Sequence, residues 1–127
     1  MSLEHLEEAV LTKLLAGDHP VLVALRSQLP GVLVSERRFS GAGFFTDLLV
    51  AEGARRAPLR SGKAVFGDVE ATIDGLSYGA GFLLWVKDGL MIMLEGYSYD
   101  EPWPDDVTGF ALHYWEPERK KLFSELV

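Results

Sequence analysis

The fold of this chain is set by residues 78–104, YGAGFLLWVKDGLMIMLEGYSYDEPWP. Two apolar runs flank the dipeptide Asp88-Gly89, which favours a two-residue hairpin turn because both turn positions need positive φ. The segment therefore predicts one long β-hairpin. It ends in an acidic, aromatic loop that is stiffened by Pro102 and Pro104.

A two-residue turn also predicts how the two hairpin strands pair. Lys87 then faces Leu90, Val86 faces Met91, and the alternation continues along the ladder. One predicted face carries Leu83, Trp85, Lys87, Leu90, Ile92 and Leu94, and the other carries Phe82, Leu84, Val86, Met91, Met93, Glu95 and Tyr97. Both faces are apolar, so both need cover.

Apolar residues at helical spacing predict two helices at the N-terminal end of the chain. The first follows Ser2 as its cap and stops before Gly17. The second follows Asp18 as its cap and ends at Pro30-Gly31. Two short helices in tandem therefore precede the strands.

From Val32 onward the apolar period changes to two, which predicts strands. Besides the hairpin, the expected strands are Val32–Phe39, Phe44–Ala51, Val65–Ile73 and Phe110–Trp115, with a loop at 52–62 and a short helix after Pro117. In the clearest of these strands, Asp68, Glu70, Thr72 and Asp74 are expected to face solvent. The sequence thus predicts an α+β fold, with two N-terminal helices packed on one mainly antiparallel sheet of five or six strands.

Composition limits the functional classes. The 127 residues contain no cysteine and carry a formal charge of −7 with a pI near 4.9, so a nucleic-acid binder is not expected. No apolar run approaches the roughly 20 residues that span a bilayer. Glutamates stand near the N-terminus where a signal peptide is positive, so we expect a cytoplasmic protein with one domain, residues 1–127.

Covering the second sheet face is the main structural question that the sequence raises. The two helices can cover one face. The acidic loop, the C-terminal segment or a second copy of the chain could cover the other. Large open apolar patches are rare on monomers, so a homodimer through the sheet face is one hypothesis.

Glu95 is the first candidate site residue. The predicted register places its carboxylate on an apolar face beside Phe82 and Met93, where burial would raise its pKa. A perturbed carboxylate in a cleft is a mark of function. The alternative is a structural Glu95 that reaches solvent or bonds a tyrosine hydroxyl or a backbone amide.

The loop after the hairpin is the second candidate. Its aromatic and acidic side chains are typical of a docking surface for a basic protein partner. The residues concerned are Tyr97, Tyr99, Asp100, Glu101 and Trp103, followed by Asp105 and Asp106. The alternative is that Trp103 folds down as a lid on the sheet. The acids lack the spacing and the glycine of a calcium loop, and the residue pattern indicates neither a metal site nor a cofactor.

Catalysis has little support from the sequence. The three histidines are scattered, and no phosphate-binding loop or serine elbow is present. Arginines at 37, 38, 55, 56 and 60 form the basic concentration, either as solvated charge or as an anion groove. The leading hypothesis is a non-enzymatic interaction protein. The competing one is a small-molecule binder or hydrolase that uses Glu95 and Asp47 in a pocket lined by Phe44, Phe45, Phe82 and Tyr97.

Two segments, GAGFFTDLLV at residues 41–50 and GAGFLLWVKDGLMIMLEGYSYDEPWP at 79–104, resemble a family of small uncharacterised bacterial proteins. Members of that family share a GxGFFTDF-like strand and a block similar to LEGYTYDEPWP after a DG turn. Similar small acidic α+β proteins occur as immunity proteins beside bacterial toxins. The resemblance thus makes an immunity-like or regulatory role one version of the interaction hypothesis, and it implies no catalytic residues.

Overall fold

The computed structural model describes residues 1–126, which form three helices and one antiparallel sheet of seven strands. The helices are α1 His5–Leu14, α2 Pro20–Ser27 and α3 Lys120–Glu125. The strands are β1 Leu33–Phe39, β2 Gly43–Leu49, β3 Ala64–Phe66, β4 Val69–Ile73, β5 Ala80–Lys87, β6 Leu90–Ser98 and β7 Phe110–Tyr114. The predicted α+β class is confirmed, and the sheet is one strand larger than expected.

The strands are ordered β1-β2-β6-β5-β4-β7, and β3 also pairs with β5, beside β4. The helices cover one face of this sheet, which we call the helix face. Its core combines the apolar sides of α1 and α2 with alternate strand residues, including Val10, Leu11, Leu14, Leu22, Leu25, Phe66, Phe82, Leu84, Met91 and Leu94. The opposite side is called the outer face.

Both N-terminal helices form, but their predicted caps are wrong. Glu4 caps α1, and the Glu7 carboxylate accepts a hydrogen bond from the Glu4 backbone N–H at 2.7 Å. His19 caps α2, where its Nδ1 atom accepts a backbone N–H of the first turn at 3.1 Å. The caps therefore lie at Glu4 and His19, not at Ser2 and Asp18, because a glutamate and an imidazole also supply acceptors for the free N–H groups of a helix start.

The hairpin turn is as predicted, with positive φ at Asp88 (53°) and Gly89 (74°). The two predicted pairs next to the turn, Lys87 with Leu90 and Val86 with Met91, are also confirmed. Beyond them the predicted register is wrong, because Ile92 is an extra residue and Trp85 pairs with Met93. A bulge of one residue exchanges the two faces of everything that follows it. Leu94 thus enters the core and Glu95 moves to the outer face.

A buried glutamine anchors the hairpin turn to α2. The Gln28 side chain donates to the carbonyls of Gly89 and Arg55, at 2.8 Å each, and accepts the Met91 N–H at 3.0 Å. The predicted loop at 52–62 is confirmed as a loop, and the contact with Arg55 ties it to this turn. The position of the hairpin over α2 is therefore fixed by directional bonds as well as by apolar packing.

The predicted single strand Val65–Ile73 divides into β3 and β4 at Gly67-Asp68. A Cβ atom on Gly67 would overlap the carbonyl oxygen of Phe82, so the chain passes β5 at a point that only glycine allows. Asp68 follows and turns inward, with only 6% of its surface exposed. The expectation that Asp68 faces solvent is therefore wrong.

Arg119 is the partner of Asp68 and joins the C-terminal segment to the core. Its guanidinium bonds both Asp68 carboxylate oxygens, at 2.7 and 2.9 Å, and the carbonyls of Leu14 and Ala16 at the end of α1. It also lies 4.2 Å from the ring centre of Tyr114. The guanidinium of this buried cation forms four hydrogen bonds, so the contact fixes where α3 begins.

Neither the acidic loop nor the C-terminal segment covers the outer face. Leu122 and Leu126 of the C-terminal segment join the buried core, and Phe123 stacks on His19 at 6.0 Å between ring centres. Trp103 of the acidic loop packs on Phe44, which lies on the helix face. Both segments therefore bury apolar side chains on the helix face, and the C-terminal segment borders the outer face only at Val65 and Leu83, with which it lines one pocket.

We expect Arg119→Ala to lower the free energy of unfolding by about 3–5 kcal/mol, since it leaves the buried Asp68 carboxylate without its cation. Urea unfolding followed by circular dichroism measures this change. The control is Lys120→Ala, whose exposed ion pair with Glu118 should contribute less than about 1 kcal/mol. Equal effects of the two substitutions would contradict the role given to Arg119.

Candidate functional site

The outer face is an open, largely apolar sheet surface. Its centre is formed by half-buried side chains from three neighbouring strands: Phe45, Leu83, Trp85, Met93 and Tyr97. Toward its margins, Leu33, Leu49 and Val65 are 51%, 55% and 45% exposed. Exposed apolar side chains grouped on one surface are typical of sites that bind another molecule, so this face is the first candidate for an association surface.

Glu95 lies on this outer face, between Phe45 and Leu83 on the adjacent strands. Its carboxylate accepts a hydrogen bond from Trp85 Nε1 at 3.1 Å. The predicted position beside Phe82 is wrong, because the bulge places Phe82 on the opposite side of the sheet. Glu95 is half-buried and bonded to a side chain, as in the structural alternative, although its partner is an indole.

The pocket of the competing hypothesis is not formed. Phe44 and Phe82 are buried on the helix face, at 5% and 0% exposure, whereas Phe45 and Tyr97 lie on the outer face. Asp47 also lies on the outer face, where its carboxylate pairs with Arg38 at 2.7 Å. The sheet itself separates the residues that this pocket would bring together.

Tyr97 closes one end of the outer face. Its ring lies over Gly81 and meets Tyr99 edge-on at 5.7 Å between ring centres. Burial raises the pKa of Tyr97 to about 12, with added contributions from Tyr99 and from the carboxylates of Glu70 and Glu95. Tyr97 is therefore uncharged at neutral pH, and the negative charge beside it comes from Glu70 and Glu95.

The acidic loop is held in place by its own residues. The Glu101 carboxylate accepts the backbone N–H groups of Ser77 and Tyr78 at 2.9 and 3.0 Å, and these bonds lower the pKa of Glu101. Asp100 is exposed and adopts positive φ, 60°. Of the predicted docking residues, Glu101 is thus engaged within the chain.

Trp103 is a lid, as one of the two interpretations predicted. Its ring meets Phe44 edge-on at 5.2 Å between ring centres, and its backbone N–H donates to the Gly41 carbonyl at 2.7 Å. It is half-buried, at the end of the helix face. One side of the indole is therefore fixed in the fold, and the other faces a cleft.

This cleft has a volume of about 580 Å³ and lies between the start of α1, the end of β1 and the acidic loop. Its aromatic walls are Phe39, Phe44, Trp103 and Phe110, and its charged or titratable lining residues are Glu4, His5, Glu7, Arg37, Asp105 and Asp106. Phe39 is 71% exposed, so its ring stands at the opening. The sequence did not predict a cleft at this position.

The cleft is backed by a buried polar cluster. Glu7 accepts hydrogen bonds from Arg37 Nε at 2.9 Å and Nη2 at 2.7 Å, and from the Thr46 hydroxyl. Burial alone would raise the pKa of Glu7, but bonds from Arg37, the Glu4 N–H and Thr46 outweigh it, so the pKa is lowered. The pairing likewise raises the pKa of Arg37.

Sequence reasoning missed the role of Glu7, although a signal was present. Leu3, Glu7, Val10 and Leu14 share one helical stripe, so a carboxylate falls on the apolar side of α1. A charge on such a stripe predicts a buried partner. The identity of that partner, Arg37 on β1, could not be read from the spacing.

Among residues 1–126, no group of three or more histidine, aspartate or glutamate side chains is placed to hold a metal ion. None of the helices in this range has the length and hydropathy to cross a membrane. No protein-family model matches the chain, and no match is found among the curated proteins or the solved structures. The resemblance of residues 41–50 and 79–104 to a family of small bacterial proteins stays a prediction.

We expect Glu7→Gln to destabilise the protein at neutral pH and to lose that effect in acid. Because the folded state lowers the pKa of Glu7 below its ordinary value of 4.5, its ionised form stabilises the fold above pH 4.5, and this stabilisation is lost as the pH falls through the folded pKa. Urea unfolding as a function of pH measures the difference. A gap between wild type and variant that stays constant into acid would contradict it.

Proposed function

We propose that this protein is a non-enzymatic interaction protein whose cleft binds a basic segment of a partner. The observation that carries the proposal is the pairing of an aromatic wall with free carboxylates around one concave surface. Phe39 and Trp103 supply the wall, the free carboxylates of Asp105 and Asp106 stand at its rim, and Glu4 stands there with its carboxylate 3.8 Å from Arg37 Nη1. An arginine or lysine side chain would match both features.

The charges that remain available in the cleft are negative. Among the described residues that line the cleft, one is a lysine or arginine, Arg37. Its Nε and Nη2 atoms already donate to Glu7. Asp105 and Asp106 are exposed, and neither forms an ion pair within residues 1–126. A cation entering the cleft therefore meets uncompensated carboxylates.

The aromatic wall makes the cleft selective for cations with an apolar stem. Arginine and lysine lay their methylene chains along apolar surface and keep the charge at the tip. A guanidinium or ammonium over a tryptophan or phenylalanine ring gains cation–π attraction of about 0.5–2 kcal/mol. Binding of a basic segment supports an immunity-like or regulatory role, in which the partner is a cationic protein.

The internal bonding of Glu7 favours binding over acid–base chemistry. Its two oxygens already accept bonds from Arg37, Thr46 and the Glu4 N–H. A carboxylate kept ionised by three donors has a weakened capacity to take up a proton at neutral pH. Glu7 therefore has a structural role, which is to hold Arg37 and the start of α1 in position.

We expect Asp105→Lys/Asp106→Lys to weaken binding of the basic partner at least tenfold, and Phe39→Ala to weaken it about threefold to tenfold. Reversing rim charges replaces attraction by repulsion, and removing the ring deletes one wall of the cleft. Affinity capture of proteins from the native source identifies the partner, and calorimetry with the purified partner gives the affinities.

The matched control is Asp18→Lys/Glu52→Lys, which changes the net charge equally at exposed positions outside the cleft. It should retain the partner, and added salt should weaken wild-type binding. Equal loss in the control and rim variants would contradict the proposal. So would a captured partner whose binding surface is acidic.

The cleft volume favours a second candidate function, binding of a small organic cation. About 580 Å³ lies within the range of about 300–1,000 Å³ that small-molecule sites occupy. Titration with arginine methyl ester, followed by Trp103 fluorescence in a variant that lacks the other two tryptophans, separates the two candidates. Saturation by the free ester at an affinity equal to that of the protein partner would favour the small ligand.

A further inference from the structure

We infer that the outer face is the interface of a homodimer whose twofold axis lies in the plane of that face and runs perpendicular to the strands. In this dimer, the strands of one copy run antiparallel to those of the other. The inference is independent of the cleft, which lies on the helix side of the sheet.

The outer face is large enough to form a stable dimer. Six neighbouring strands at about 4.8 Å spacing, with about seven residues each at about 3.3 Å per residue, cover roughly 650 Å² before side-chain relief is added. A typical specific interface takes about 800 Å² from each partner. Two such sheets pack face to face at about 10 Å with interdigitated apolar side chains.

Charged side chains without ion-pair partners in the described part of the chain stand at the two ends of the outer face, and the two ends have opposite signs. Lys87 ends β5 on the outer face, and Lys63 lies beside it because Ala64 pairs with Val86. At the other end, Glu70 pairs across from Gly81, and Glu95, which pairs across from Leu83, lies one row nearer the centre. None of these four charged groups forms an ion pair within residues 1–126.

A twofold axis perpendicular to the strands exchanges the two ends of the outer face. Each strand then lies over the same strand of the partner. The lysine end of one protomer then covers the glutamate end of its partner, twice in each dimer. An axis parallel to the strands would instead leave each lysine over the apolar residues around Leu49 and Leu90. Complementary charges across an interface fix its register, so the charges select the perpendicular axis.

Opposite charges on strand β1 also meet across the perpendicular axis. Arg38 lies in the row of Phe45, and Glu36 lies one row nearer the lysine end, in the row of Asp47. Reversal about an axis between these two rows brings Arg38 of one copy over Glu36 of its partner. Trp85, in the row of Met93, then lies close to the axis, where buried aromatic residues contribute most to an interface.

This arrangement also favours a second copy over a different partner. A uniformly basic partner would face Lys63 and Lys87, and a uniformly acidic one would face Glu70 and Glu95. An isologous interface requires a surface that is complementary to itself. The outer face meets this requirement, because its charges are opposite about its own midline and its centre is apolar.

Mixed charge reversals test the inference by sedimentation velocity and light scattering. Wild type should form a dimer. Lys63→Glu/Lys87→Glu and Glu70→Lys/Glu95→Lys should each raise the dimer dissociation constant at least 100-fold, because each makes both ends carry one sign. An equimolar mixture of the two variants should regain a dimer, since each then supplies what the other lacks. The control Arg55→Glu/Lys120→Glu, at exposed positions off this face, should remain dimeric.

Cross-linking of the wild type gives a second measurement that needs no variant. A zero-length carbodiimide reagent, applied to a mixture of unlabelled and isotopically labelled chains, should join Lys63 or Lys87 of one copy to Glu70 or Glu95 of the other. A wild type that is monomeric at every concentration overturns the inference. So does a dimer that both reversals leave intact, or a mixture of well-folded variants that stays monomeric. None of these outcomes bears on the cleft, whose variants are tested against a basic partner.

Discussion

The single extra residue in β6 is the constraint on which both surfaces of this protein depend. Ile92 has no partner of its own on β5, so Trp85 pairs with Met93 and the alternation of every later β6 residue is reversed. Leu94 therefore fills the core, and Glu95 stands on the outer face with Tyr97. Without the bulge, a carboxylate would enter the core in place of a leucine, at a cost of several kcal/mol.

The local features of this chain follow from the sequence, and its long-range pairings do not. Asp88-Gly89 predicts its turn because the signal lies in two adjacent residues. The stretch Met91 to Leu94 is apolar at every position, so alternation alone cannot tell which residue is the extra one. The choice is made by what fits against the helices and by the hydrogen bond that the Met91 N–H donates to Gln28. Such contacts join residues far apart in the chain, and spacing does not reveal them.

Two buried ion pairs are further long-range contacts that spacing in the sequence does not reveal. Glu7 with Arg37, and Asp68 with Arg119, join segments 30 and 51 residues apart. Asp68 stands where alternation predicts a solvent-facing residue, and Glu7 stands on the apolar stripe of α1. Each carboxylate is buried because a distant arginine meets it. Buried pairs of this kind add little net stability over apolar packing. We infer that they fix one arrangement of helix on sheet, since any shift would leave a buried charge alone.

The separation of the two surfaces has a consequence for binding. The cleft opens at the end of the sheet where β1 stops at Phe39 and where Trp103 follows β6, on the helix side. The strand-reversing dimer therefore places its two clefts at opposite ends of the particle and leaves both open. A partner with two basic segments far enough apart would bind with an effective concentration set by the span between them. A partner with one segment would gain nothing from the dimer, so the benefit of dimerisation depends on the valency of the partner.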